Sequence, residues 1–168
     1  VQHGTVRLIS LDATRMGALD EKQRRWLTDE LQAPGDYTHT LVFGHLPLQP
    51  VAHGREREIV DDPELEVLLA DAKVSAYLSG HHHSYYPGHR VGVDMLSMGN
   101  LGGNQRTLVG TSQRTGFSFT VLELLPNGAM NVNAVRGQDF SESIAPDTLP
   151  PSVGTGKQRL QRRDLVSP

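Results

Sequence analysis

Residues 39–45 read His39-Thr-Leu-Val-Phe-Gly-His45, and residues 74–83 read Val74-Ser-Ala-Tyr-Leu-Ser-Gly-His81-His82-His83. Each stretch is a short apolar run, with β-branched and aromatic residues, that ends in glycine and histidine. Such runs are typical of buried strands when turn residues bound them. Between the two runs, Asp62-Pro63 provides an N-cap followed by proline, and leucines continue at helical spacing from Leu65. We therefore predict a strand, a helix and a second strand.

The sequence upstream repeats this order. Residues 5–11, Thr5-Val-Arg-Leu-Ile-Ser-Leu11, form another apolar run and predict a core strand. A helix should follow, because Asp20 and Gln23 have the spacing of a capping box and the helical pattern ends at Pro34-Gly35. The combined order is βαβαβ, which predicts a parallel sheet with right-handed crossovers and places the chain in the α/β class.

Downstream of residue 90 the apolar period changes to two. We predict antiparallel strands near residues 91–98, 116–125 and 129–135, the last two joined by Asn127-Gly128. From about residue 141 the chain is rich in Pro, Ser, Gly, Gln and Arg, so residues 141–168 are expected to be a poorly ordered polar tail. Residues 1–140 would then form part of one domain.

Composition excludes several classes of function. A net charge of −3 and a pI of about 6.2 give no general attraction to nucleic acid or to anionic membranes, so nucleic acid is a disfavoured partner. No stretch approaches the roughly 20 apolar residues of a membrane-spanning helix, and no membrane partner is expected. Without cysteine, any metal ligands must be histidines or carboxylates. The composition leaves the cellular compartment undetermined.

The two histidine groups follow consecutive parallel strands and should meet at one edge of the sheet, where open α/β sheets bind ligands. Neutral imidazole suits Zn, Fe, Cu or Ni, and in a turn His81 and His83 can point to one region while His82 points away. Taken singly, His45 is better explained by a hydrogen bond at a strand end, and residues 81–83 are explained equally well by a solvated polar turn. Their joint placement favours a metal site.

An ordered set of motifs resembles the second half of calcineurin-like metallophosphoesterases, the group that includes purple acid phosphatases. The set covers roughly residues 5–135 and comprises Leu11-Asp12, residues 23–27 (Gln-x-x-Trp-Leu), Gly44-His45-Leu46-Pro47, and Ser79-Gly80-His81-x-His83 followed by Tyr85. The resemblance implies half of a four-layer α/β/β/α sandwich, with the βαβαβ unit followed by antiparallel strands.

The resemblance also implies a two-metal site that hydrolyses phosphoesters, as a phosphatase or a phosphodiesterase. His45 and His81 would bind one ion and His83 the other, the ions being Mn, Fe, Zn or Ni. His82, Tyr85 and His53 are candidates for positions next to the substrate, although His82 is equally well read as a solvent-facing spacer.

The family's carboxylate ligands and its general-acid histidine have no match in this chain. They would belong to an N-terminal half of the same domain, in the same protein or in a partner chain. This segment is therefore expected to hold no catalytic residue and to be inactive when isolated, and the expected substrate of the intact protein is a small-molecule phosphoester.

Two other functional classes remain open. One is a phosphoesterase-like scaffold that has lost catalysis and serves as an interaction module. The other is a simple histidine metal-binding domain that requires one ion and no phosphatase cleft. Retention of all three expected histidines argues against the inactive scaffold, because decay of a site should remove ligands.

Overall fold

A computed structural model describes residues 1–166. Its strands and helices, in chain order, are β1 (Gln2–His3), β2 (Val6–Ser10), α1 (Glu21–Gln32), β3 (His39–Gly44), α2 (Pro63–Asp71), β4 (Ala76–Ser79), β5 (Tyr86–Arg90), β6 (Val93–Ser97), β7 (Ser118–Leu124), β8 (Met130–Arg136), β9 (Glu142–Ser143), β10 (Ser152–Val153) and β11 (Leu160–Arg162). Short 3₁₀ turns occupy Pro146–Thr148, Gly156–Gln158 and Arg163–Leu165.

The centre of the molecule is an eight-stranded mixed sheet in the order β1-β2-β3-β4-β6-β5-β11-β10. Strands β2, β3 and β4 are parallel neighbours, and α1 and α2 connect them. The predicted βαβαβ unit is confirmed, and the chain is an α/β protein with a large mixed sheet. The three-stranded sheet β7-β8-β9 is antiparallel, as the period-two pattern predicts for β7 and β8.

Both helices begin where the sequence predicts. The Asp20 carboxylate accepts a hydrogen bond from the backbone N–H of Gln23 (2.9 Å), and Asp62 accepts one from Leu65 (3.0 Å). The capping box at α1 is only half formed, because the Gln23 side chain contacts the backbone of Asp12 instead of that of Asp20. Gln23 thereby ties the start of α1 to the loop that follows β2.

The large sheet buries both of its faces. Alternate residues such as Val42 and Tyr77 belong to the core cluster that includes Leu27 of α1 and Leu69 of α2. Their neighbours on the opposite face, such as Leu41 and Leu96, pack in a second cluster with Met130 and Leu122 of the small sheet. The result is three layers: helices, large sheet and small sheet.

Two segments differ from the sequence-based expectations. Strand β5 contains Pro87 and Gly88 and lacks apolar alternation, so the sequence gives no signal for the β5–β6 hairpin. Residues 141–166 are not a poorly ordered tail: β11 pairs with β5, and β10 pairs with β11. Leu160 and Val153 anchor this segment in the main core, which explains its order despite a polar composition. The last two residues of the predicted tail, 167 and 168, lie outside the described residues.

Within residues 1–166, no helix has the length and apolar character needed to cross a membrane.

Candidate metal centre

The candidate site lies where β3 and β4 end side by side. Gly44 is the register partner of Ser79, so His45 and Gly80 leave the sheet together. The backbone N–H of Gly80 donates to the carbonyl oxygen of His45 (3.1 Å). This parallel register is the reason that two histidines 36 positions apart in the chain become neighbours.

His45 and His81 face each other through ring nitrogens. Nε2 of His45 lies 3.1 Å from Nδ1 of His81, and the two rings meet edge to face, with centroids 4.9 Å apart. Two imidazole nitrogens that share one ion at about 2.0–2.1 Å are separated by about 3 Å. The separation of this donor pair therefore fits two positions around a single metal ion, and it equally fits one hydrogen bond.

The other ring nitrogen of His81, Nε2, has a carboxylate partner. Nε2 lies 2.5 Å from Oε2 of Glu58, and Nη1 of Arg55 lies 2.5 Å from each Glu58 oxygen. The hydrogen bond from Arg55 has the largest effect on the pKa of the Glu58 carboxyl and lowers it, and the hydrogen bond from His81 lowers it further. Sequence reasoning missed Glu58, because nothing in the polar loop of residues 49–61 distinguishes it from its neighbours.

His83 is oriented in a similar way. Its Nδ1 lies 2.9 Å from the carbonyl oxygen of Asn104, which can only accept, so Nδ1 carries the proton and Nε2 keeps its lone pair. His81 and His83 both adopt left-handed backbone conformations, with φ of 56° and 52°. Such conformations are uncommon for residues other than glycine and cluster at functional sites.

His82 and Tyr85 lie in the interior, contrary to the expectation that they border a substrate. His82 is fully buried and Tyr85 is buried in the main core. Burial raises the pKa of Tyr85 to about 12. His53, the third candidate, is 75% exposed and pairs with Glu56.

His82 holds the loop of residues 49–61 against the rim. The backbone N–H groups of Val51 and Ala52 both donate to its Nδ1 (3.2 Å each), so Nε2 carries the proton and donates to the carbonyl oxygen of Glu58 (3.1 Å). Burial lowers the pKa of His82 to about 4 and keeps the ring neutral. His82 is therefore not a solvent-facing spacer; its two ring nitrogens fix the loop that carries Glu58.

Two further polar residues, Arg106 and Asn100, lie near this rim. Arg106, half-buried, donates to the carbonyl oxygen of His81 (3.3 Å) and brings a cation close to the histidines. Asn100, buried after β6, has a side-chain oxygen to which no described residue donates. Its loop continues to Gly103, whose missing Cβ would lie 3.5 Å from the His83 ring.

The described part of the chain holds no group of three or more His, Cys, Asp or Glu side chains that could bind a metal ion by itself. The donors that are present are of the right chemistry: they are imidazoles, and in His81 and His83 one ring nitrogen is hydrogen-bonded to a carboxylate or a carbonyl, as is common in ligating histidines. These residues fit part of the ligand set of a metal centre.

Among known proteins, the similarity found concerns the fold. No protein-family model matches the chain, and no curated protein matches it. Among solved structures, the chain is similar to GAP50 of Plasmodium, described as the anchor in the inner membrane complex, with a TM-score of 0.58 and 19% identity. The similarity covers 74% of this chain, which spans 41% of the GAP50 chain. At this identity the likeness shows the fold alone and supports its assignment as a mixed α/β protein.

Proposed function

We propose that this chain forms the histidine-bearing part of a binuclear metallophosphoesterase that hydrolyses small-molecule phosphoesters. The proposal rests chiefly on one observation: the ring nitrogens of His45 and His81 face each other at 3.1 Å at the carboxyl edge of the parallel strands. His45 and His81 would bind one ion. His83, with Nε2 unprotonated, would bind the second.

The layer arrangement supports the same proposal. Helices, a large mixed sheet and a small antiparallel sheet are stacked in the order expected for three of the four layers of a metallophosphoesterase sandwich. Carboxylates and the remaining ligands would come from another segment of the same protein or from a partner chain. A centre with only three imidazoles for two ions would be under-coordinated, so this chain alone should be inactive.

A pair of ions in such a centre supplies an activated water for in-line attack on phosphorus and polarises the phosphoryl oxygens. The side chains of this segment have other tasks. Glu58 and the carbonyl of Asn104 hold the imidazoles in place. The guanidinium of Arg106, which donates to the carbonyl oxygen of His81, would neutralise negative charge on the ester.

Metal analysis of the intact protein tests the proposal. His45→Ala, His81→Ala and His83→Ala should each lower the bound metal from two ions toward one or none, and should abolish hydrolysis of an aryl phosphate. His3→Ala is the control. His3 is exposed in β1, where it pairs with Val6 at the start of β2, and it lies at the end of the strands opposite to His45. Unchanged metal content in all three variants would refute the ligand assignment.

A second candidate is a catalytically inactive phosphoesterase-like scaffold. One observation favours it: three exposed apolar residues lie at alternate positions just before and within β7, namely Phe117, Phe119 and Val121. A scaffold would bind no metal, or would bind it without hydrolysing any phosphoester. The same metal analysis therefore separates the two candidates, since only the enzyme requires metal and activity to be lost together.

A further inference from the structure

We propose that Glu58 is a positioning residue for His81, selecting the ring nitrogen that faces the metal. This inference rests on the proposed function and deepens it. Glu58 belongs to the loop that overhangs the rim, and nothing in the motif set identifies it. Its role follows from the hydrogen bonds made by the two nitrogens of one imidazole.

The carboxylate determines the His81 tautomer. An ionised carboxylate can only accept, so Nε2 of His81, 2.5 Å from Glu58, must carry the proton. A neutral imidazole with a proton on Nε2 has its lone pair on Nδ1. That is the nitrogen that faces Nε2 of His45 at 3.1 Å. Glu58 thereby presents Nδ1 of His81 as the donor to an ion shared with His45.

Glu58 is itself held at both ends. Arg55 binds both carboxylate oxygens, and the backbone N–H of Glu58 donates to the carbonyl oxygen of Arg55 (2.9 Å). The carbonyl oxygen of Glu58 accepts from His82 (3.1 Å). With its carboxylate and its backbone both fixed, Glu58 constrains the rotation of the His81 ring as well as its tautomer.

A purely structural role for Glu58 makes a different prediction. If the carboxylate served only to pair with Arg55 on the loop, its removal would change stability slightly and leave the His81 ring unaffected. The orientation model requires instead that the tautomer and the metal affinity change together. Partners of this kind typically contribute 10–100-fold to metal affinity.

The test uses the full protein labelled with ¹⁵N-histidine, with Zn²⁺ alone as the probe. Long-range ¹H–¹⁵N spectra of the metal-free protein report which ring nitrogen of His81 is protonated, and a titration reports the Zn²⁺ dissociation constant. In Glu58→Ala we expect loss of the single Nε2–H tautomer and Zn²⁺ binding about 10–100-fold weaker. Glu58→Gln, whose amide oxygen still accepts, should give a smaller change in both.

Glu56→Gln is the matched control, since Glu56 lies on the same loop and pairs with the exposed His53. It should leave the tautomer and the affinity unchanged. Suppose that Glu58→Ala leaves the His81 tautomer and the Zn²⁺ affinity unaltered, while His81→Ala binds Zn²⁺ more weakly. That result would overturn the inference about Glu58 but not the proposed function. If His81→Ala also binds Zn²⁺ normally, the proposed function is wrong and the inference fails with it.

Discussion

The backbone N–H of Gly80 donates to the carbonyl oxygen of His45, and this 3.1 Å bond joins the ends of β3 and β4. The bond requires that both strands leave the sheet at the same level, which the pairing of Gly44 with Ser79 ensures. The backbone therefore determines the geometry of the histidine pair, because it brings the two side chains together. Substitutions that move the backbone here should affect metal binding without touching an imidazole.

Gly44→Ala should have this effect. A Cβ at Gly44 would lie 2.6 Å from the hydroxyl oxygen of Tyr77 and 2.7 Å from the Cβ of Ala13, both in the tightly packed rim. We expect the free energy of unfolding to fall by about 1–3 kcal/mol, as in other overpacked cores, and Zn²⁺ binding to weaken. Chemical denaturation and a Zn²⁺ titration measure the two effects.

Gly102→Ala is the control for this prediction. A Cβ there would meet no atom within 4 Å, and the residue does not have a positive φ. It should behave like the wild type in both measurements. Equal stability of Gly44→Ala and Gly102→Ala would show that the rim tolerates displacement.

His82→Ala should destabilise the protein through the loop of residues 49–61. The substitution removes the acceptor for the N–H groups of Val51 and Ala52 and the donor to the carbonyl of Glu58. Buried groups that lose their partners cost about 1–3 kcal/mol each, so a loss on the order of 3 kcal/mol is expected in denaturant unfolding. Hydrogen exchange should accelerate at Val51 and Ala52. His53→Ala, an exposed change on the same loop, should remain within about 0.5 kcal/mol of the wild type; an equal effect of the two would contradict this role for His82.

Leu160→Ala tests whether the C-terminal segment is part of the folded core. Leu160 is 1% exposed and lies over Gly88 of β5, where no side chain intervenes. Truncation of a buried leucine costs about 2–5 kcal/mol, and we expect a loss in that range by thermal or chemical unfolding. Leu165→Ala, at a leucine that is 46% exposed, should have little effect. Stabilities that do not differ between these variants would mean that the segment contributes nothing to the core.

The contrast between predicted and unpredicted elements has a physical basis. The βαβαβ unit could be predicted because strands such as 39–43 and the helix capped by Asp62 carry strong local signals. Strand β5, with its proline and glycine, and strands β10 and β11, of two and three residues, are formed by pairing with neighbours that only the folded chain provides. The local sequence of these strands therefore does not predict that pairing.

The same distinction applies to the candidate site. The meeting of His45 with His81 followed from strand order, which sequence reveals. The partners that orient the histidines, Glu58 and the carbonyl of Asn104, come from loops whose paths are set by tertiary contacts. The interior position of His82 could not be anticipated either, because its burial depends on the loop that folds over it.

The stabilisation of the fold by Asp62 should depend on pH. Its carboxylate is buried, caps α2 and accepts from Arg24 of α1 at 2.6 Å. Burial alone would raise the pKa of Asp62, but the hydrogen bonds from Arg24 and from the backbone of Leu65 and Leu19 outweigh it and lower the pKa. A lowered pKa means that the unfolded chain binds this proton more readily than the folded one. The stabilisation is therefore present above the ordinary value of about 3.9 and is lost as the pH falls through the folded value.

Asp62→Asn should accordingly lower the free energy of unfolding by about 3 kcal/mol at neutral pH, because Arg24 loses its buried partner. The difference from the wild type should stay constant between about pH 6 and 8 and shrink below about pH 4. Urea unfolding across this range measures it. Glu64→Gln is the matched control: Glu64 is 84% exposed and lies 3.6 Å from the same arginine, so its effect should stay below about 1 kcal/mol. A pH-independent gap between Asp62→Asn and the wild type would show that the ionised carboxylate is not what stabilises the junction of the two helices.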